Sequence, residues 1–92
     1  MSRRVRVEDV LVFLGVERRG FLEPLRDEGL FLAEELLPDE AEELRVAQIL
    51  VQDLGVNPAG VDVALHLRRR LLALEARTRR LAQAFERDRE PR

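Results

Sequence analysis

The chain has 92 residues, 46% of them apolar and 37% charged, with a formal net charge of −2. These values fit one small folded domain, and a core of this size gains from a partner chain. With no cysteine, disulfides and thiolate metal sites are excluded, and the slight acidic excess argues against strong nucleic-acid binding by the whole molecule.

Aromatic residues make up 4%, all of them phenylalanine, so the expected core is built from Leu, Val and Ala. Every basic residue is arginine. The apolar runs are only a few residues long, and none would span a membrane. The opening "MSRRVRVEDV" has no long apolar stretch behind its arginines, so no secretory signal is expected. The lack of cysteine suits a reducing compartment, and a cytoplasmic location is expected.

In chain order, Arg3–Val7 reads as a short extended lead-in. "VEDVLVFLG" predicts a short helix: Glu8 and Asp9 suit its start, Val10, Phe13 and Leu14 share a face, and Gly15 suits its end. A second short helix carries Phe21, Leu22 and Leu25, and Pro24 makes it begin late or kink. Gly29 stops it. Two short helices around a glycine turn outline a helix-turn-helix. Leu30–Pro38 is ambiguous, and its first part could be a strand or a wing.

"DEAEELRVAQILVQDLG" predicts a clearer helix. Asp39 is its candidate N-cap, Leu44, Ala47, Leu50, Val51 and Leu54 its buried stripe, and Gly55 its end. Asn57 then caps a last helix with Pro58 in the first position. From there Ala64, Leu67, Leu71, Leu74, Thr78, Leu81 and Phe85 alternate by three and four, the a/d spacing of a coiled coil. Leu65 and Leu72 widen the stripe toward the chain's own domain. The later part, through Leu67, Leu71, Leu74, Leu81 and Phe85, is expected to pair with a second copy. The expected organisation is a head over residues 1–60, a dimerisation helix over 61–86 and a disordered tail over 87–92.

No arrangement of residues supports catalysis. His66 stands alone, without the partners that acid–base work or metal ligation needs, and reads as a solvent-facing or boundary helix residue. There is no Gly-rich phosphate loop and no Ser/His/Asp set. No cofactor and no metal site are expected. Arg18 and Arg19 open the second helix and could meet phosphate or guanine in a DNA reader, but Glu17, Glu23, Asp27 and Glu28 surround them. Two charge runs are more telling. Glu34, Glu35, Asp39, Glu40, Glu42 and Glu43 form an acidic stretch. Arg68, Arg69, Arg70, Arg77, Arg79 and Arg80 form a basic one. They are solvated faces that pair across a dimer, or else the acidic run docks a basic partner surface.

Helix–glycine–helix followed by "LRVAQILVQDLGVNPAGVDVALHLRRRLLALE" resembles the MerR-type winged-helix scaffold. It is more closely similar to the chaperone-modulator branch, the CbpM type, which includes the DnaK–DnaJ assembly factor (DafA) type. "DLGVNPAGVDVAL" is the part most like that branch, and "FLGVERRGFLEPLRDEGLF" fits it too. The likeness covers roughly residues 5–85. DNA-binding MerR proteins usually carry an Arg-Tyr-Tyr-like stretch in the second helix and a basic wing ending in tyrosine. Here the matching segments are "GFLEPLRDEGL" and the acidic "LFLAEELLPDEAEEL", and there is no tyrosine.

The resemblance implies an all-α or nearly all-α fold, a MerR-like winged helix-turn-helix with a long coiled-coil-like C-terminal helix. It also implies binding to the J-domain of a DnaJ-type co-chaperone, and through it regulation of DnaK (Hsp70). Charge, rather than the resemblance, selects the expected docking residues: Glu34, Glu35, Asp39, Glu40, Glu42 and Glu43, with Phe31 and Leu32 as apolar anchors. The alternative is a MerR-type promoter-binding regulator acting through Arg18 and Arg19. A weaker third reading is an interaction module with no chaperone link.

Overall fold

In the computed structural model, which describes residues 3–89, strand β1 (Val5–Arg6) leads straight into helix α1 (Val7–Leu14). Val7, Val10 and Leu11 face inward and are buried. Gly15 ends the helix at φ 71°, and its N–H and that of Val16 return to carbonyls of the last turn at 3.1 Å each, the left-handed stop that glycine adopts without penalty. The following segment opens with a wide, π-type turn over Arg18–Leu22 and continues as α2 (Glu23–Asp27). Pro24 explains the wide turn. Its ring would clash with the carbonyl of Gly20 in a regular helix, and the turn opens instead of the helix starting late. Phe21, Leu22 and Leu25 are all buried, as their spacing predicts.

The ambiguous stretch after Gly29 is irregular in its first part. Only β2 (Glu35–Leu36) is extended, and it pairs antiparallel with β1, Val5 opposite Leu36 and Arg6 opposite Glu35. α3 (Pro38–Gln48) follows and ends in a second wide turn, Ile49–Asp53. Its cap differs from expectation. Leu37 is the N-cap residue, Pro38 takes the first helical position, and the Glu40 carboxylate accepts the Leu37 N–H at 3.0 Å. Asp39 lies inside the first turn, where its charge suits the helix dipole. Leu44 and Ala47 are buried and Leu50 and Val51 half-buried, but Leu54 at the end of the expected stripe is exposed.

α4 (Pro58–Arg89) starts where the sequence says. The Asn57 side chain accepts the Gly60 N–H at 2.7 Å, a cap worth about 1 kcal/mol. Gly60 is needed there, because a Cβ would meet a Val56 methyl at 2.7 Å. Val61 and Leu65 are fully buried and fasten α4 to the head. The Gln48 side chain donates to the Leu14 carbonyl at 2.9 Å, tying α3 to the end of α1. The core is thus Val7, Val10, Leu11, Phe21, Leu22, Leu25, Leu30, Phe31, Leu36, Leu44, Ala47, Val61 and Leu65, drawn from every helix of the head and from the loop after Gly29.

The 32 residues of α4 span about 48 Å at 1.5 Å per residue, and beyond Leu72 no residue of it is buried. Leu72 itself is 46% exposed and lines a shallow hollow with Asp39, Glu42 and Glu43 of α3. The helix passes the expected boundary at 86 and runs to Arg89. Of the expected tail over 87–92, residues 87–89 are helical and 90–92 lie outside the described residues.

Candidate protein-docking site

The acidic run is not a uniform patch, because arginines distant in sequence fold back onto it. Arg18 bridges Glu8 and Glu34, and Arg26 reaches Glu34 at 3.0 Å from the other side. Arg26 also donates to the carbonyls of Phe31, at 2.8 Å, and Ala33, at 3.1 Å. Those bonds hold Phe31 at φ 52°, a backbone conformation that a bulky side chain seldom adopts. Glu43 is 6% exposed and receives two hydrogen bonds from Arg69, at 2.5 and 2.8 Å. Glu42 pairs with Arg45 one turn on.

Several expected site residues therefore change role. Phe31 is 8% exposed and belongs to the core, so it is no anchor for a partner. Glu34 and Glu43 are occupied within the chain, and Glu40 is spent on the Leu37 N–H. Leu32, Glu35 and Asp39 stay exposed and make no ion pair among the described residues. On the basic side, Arg18 is committed to Glu8 and Glu34, while Arg19 is exposed. Arg69 pairs with Glu43 of its own chain, so at this point the acidic and basic runs meet within one molecule. His66 is exposed, as expected.

The arginines on Glu34 set its ionisation. Hydrogen bonds from Arg18, then from Arg26, hold its carboxyl below the usual carboxylate range, and the hydrogen bond from Arg45 does the same for Glu42. A folded-state value below the unfolded one means that the unfolded chain binds more protons as pH falls. These bonds contribute fully above the unfolded-state value and fade as pH drops through the folded one. Glu34→Gln should flatten the acid limb of the stability curve, read by urea unfolding from pH 6 to pH 3. An unchanged limb would remove Glu34 from the account.

An apolar groove lies between α1 and α3, with a volume of about 380 Å³. Val5, Val10, Leu14 and Ala41 line it, with Pro38 and Phe13 and the polar rim of Asp9, Glu42 and Arg45. Phe13, expected on the inward face of α1, stands here 85% exposed, and Val12 beside it is also exposed. The inward face of an eight-residue helix is filled by Val7, Val10 and Leu11, so the next large residue is left outside. Two adjacent large apolar side chains on a small head are the kind of surface that marks an interaction site. Sequence reasoning missed Val12, Phe13 and the groove; "VLVFL", five apolar residues on a helix with one inward stripe, was the signal that could have found them.

Charge is divided between head and stalk. Residues 3–67 carry fourteen acidic side chains against seven arginines, and residues 68–89 carry three against eight. The stripe residues Leu67, Leu71, Leu74, Leu81 and Phe85 are all exposed on α4. Among the described residues no cluster of three or more potential ligands could hold a metal ion, and no helix is long and apolar enough to cross a membrane. No protein-family model, no curated protein and no solved structure matches the chain.

Proposed function

We propose that this chain is a non-enzymatic chaperone modulator. It binds the J-domain of a DnaJ-type co-chaperone through its head, regulates a DnaK (Hsp70) system, and works as a homodimer paired along α4. The fold behind this reading is a MerR-like winged helix-turn-helix, with α1 and α2 as the two helices and the β1–β2 pair as a reduced wing. The resemblance of "DLGVNPAGVDVAL" to the CbpM type supports it, and so does the acidic excess of the head.

One observation carries the docking proposal: the apolar α1–α3 groove, with Phe13 exposed at its rim, on a surface richer in acid than in base. A partner helix with an apolar stripe and basic flanks suits such a groove, the helix-in-groove mode of recognition. The free carboxylates of Asp9, Glu35 and Asp39 would steer the basic flanks and set the salt dependence of the encounter. The same acids count against the promoter-binding alternative, since they repel phosphate and Arg18 is already bound.

The test is a titration of the purified protein with a DnaJ-type J-domain, run beside a mobility shift on duplex DNA. Saturable binding to the J-domain and no shift at moderate salt is the expected result. A salt-steep DNA shift with no J-domain binding would replace this reading with the transcriptional one.

A further inference from the structure

Three sides of α4 differ in what they carry. At about 100° per residue, the buried Val61 and Leu65 turn to the head. Roughly a third of a turn away lie the exposed Leu67, Leu71, Leu74, Leu81 and Phe85. The third side, about a third of a turn from each of these, carries Arg70, Ala73, Arg77, Arg80, Ala84 and Arg87, all exposed. These six follow one another at the same alternation of three and four residues as the leucines. A second copy on the leucine side leaves this arginine side open.

The arginines of the third side are not balanced by their own helix. Arg70, Arg77 and Arg80 have no Asp or Glu three or four residues away in either direction, and they make no ion pair among the described residues. Arg79 and Arg69 show the contrast, since Glu75 stands one turn before Arg79 and Glu43 of the head holds Arg69. Arg77 and Arg80 are also three apart, where like charges oppose helix formation. An anionic partner on this side would relieve that repulsion.

We infer that the arginine side of α4 is a docking surface for an acidic helix of another protein, one with glutamate or aspartate in a row at three-and-four spacing. Charge complementarity selects an anion, since residues 68–89 carry eight arginines against three acids. The spacing selects a helix. A row at that interval follows a straight line along α4 for about 26 Å from Arg70 to Arg87, and only a second helix repeats it residue for residue. Ala73 and Ala84 lie within the row and let the partner's backbone come close, because the distance between packed helices is set by the side chains at the contact. A nucleic-acid duplex has no use for those gaps, and its dense phosphate charge attracts arginine in any arrangement. The acidic head of another copy offers no such row: Glu34, Glu42 and Glu43 already hold arginines of their own chain. The surface is separate from the α1–α3 groove, and the inference rests on the charge and spacing of α4 rather than on the chaperone reading.

The test uses the full chain and a fluorescent alanine-based helical peptide of about 20 residues with glutamates in a three-and-four row. The reference peptide has the same composition with its glutamates spread around the helix. Anisotropy should show saturable binding of the row peptide and at least tenfold weaker binding of the reference. Equal binding of the two, or none of either, overturns the inference. Tighter binding of a labelled DNA duplex would make this a nucleic-acid surface instead. Sedimentation beyond a dimer at low salt would give the side to the head of another copy. Arg77→Glu with Arg80→Glu should weaken the row peptide at least tenfold and create binding to its lysine-for-glutamate counterpart. Ala73→Gln with Ala84→Gln keeps every charge and should still weaken the row peptide several-fold. Failure of the charge swap, or indifference to the glutamines, would overturn the helical docking. Both pairs are exposed, and circular dichroism of each variant confirms that α4 is retained. Loss of J-domain binding would leave these results standing, because the two surfaces are read with different probes.

Discussion

Replacing Phe13 with aspartate is expected to weaken J-domain binding by roughly 30-fold or more while leaving the head folded. The side chain is almost wholly exposed and adds little to the core, so its loss should change stability by no more than about 0.5 kcal/mol. An apolar anchor at a groove rim is another matter, since truncating such a residue in a complex commonly costs about 2 kcal/mol or more. Leu32→Asp supplies the contrast. Leu32 is also exposed, though less so, and lies in the loop before the acidic run, outside the groove. Titration calorimetry with a purified J-domain distinguishes the two. Strong loss with Leu32→Asp and none with Phe13→Asp would move the docking surface back to the acidic run.

Leu65→Ala is expected to have the largest effect on stability. Leu65 is fully buried, comes from the long helix, and closes the core with Val61. Such truncations cost about 2–5 kcal/mol once the residual cavity is included. In a chain of this size each kcal/mol moves the melting temperature by about 4–8 °C. A fall of about 8–40 °C is therefore expected in a thermal melt followed by circular dichroism. A fall under about 3 °C would mean that α4 is not fixed to the head at this point. Arg69→Ala acts on the same junction and should cost less, about 1–2 kcal/mol. It strips the buried Glu43 carboxylate of its partner, but it opens that site to water. Glu43→Gln in the Arg69→Ala background should recover part of the loss in urea unfolding.

What the sequence made legible depended on how local the chemistry was. The Asn57–Pro58 start and the Gly55 stop were readable because a cap involves only the residues that make it. The buried phase of the second helix was equally clear, since Phe21, Leu22 and Leu25 lie within one turn and a half. The acidic run was misread for the opposite reason. Arg18, Arg26 and Arg69, which neutralise Glu34 and Glu43, stand between 8 and 26 residues away in sequence, and nothing in "EELLPDEAEEL" announces them. Phe31 looked like a free anchor because it stands with Leu32 just before the acidic run, yet Arg26 holds the loop so that the ring folds inward beside Leu30. Phe13 shows the converse error: regular helical spacing placed it with Val10 and Leu14, and the small head had room for only part of that face.

Beyond Leu72 no residue of α4 is buried, and seventeen residues remain to Arg89. A lone helix of that length is marginal in water, because nucleation is costly and each added residue gains little. Its winding is then coupled to association. On dilution below the dimer's dissociation constant the stalk should unwind from its C-terminal end toward Leu72, with no change in the head. Ellipticity at 222 nm would fall with concentration while amide protection in α1 and α3 holds. A stalk whose helicity ignored dilution would have to be stable alone or bound to something other than its twin. The long helix thus measures how much of the protein is present, and it exists as a rod only when there is enough of it.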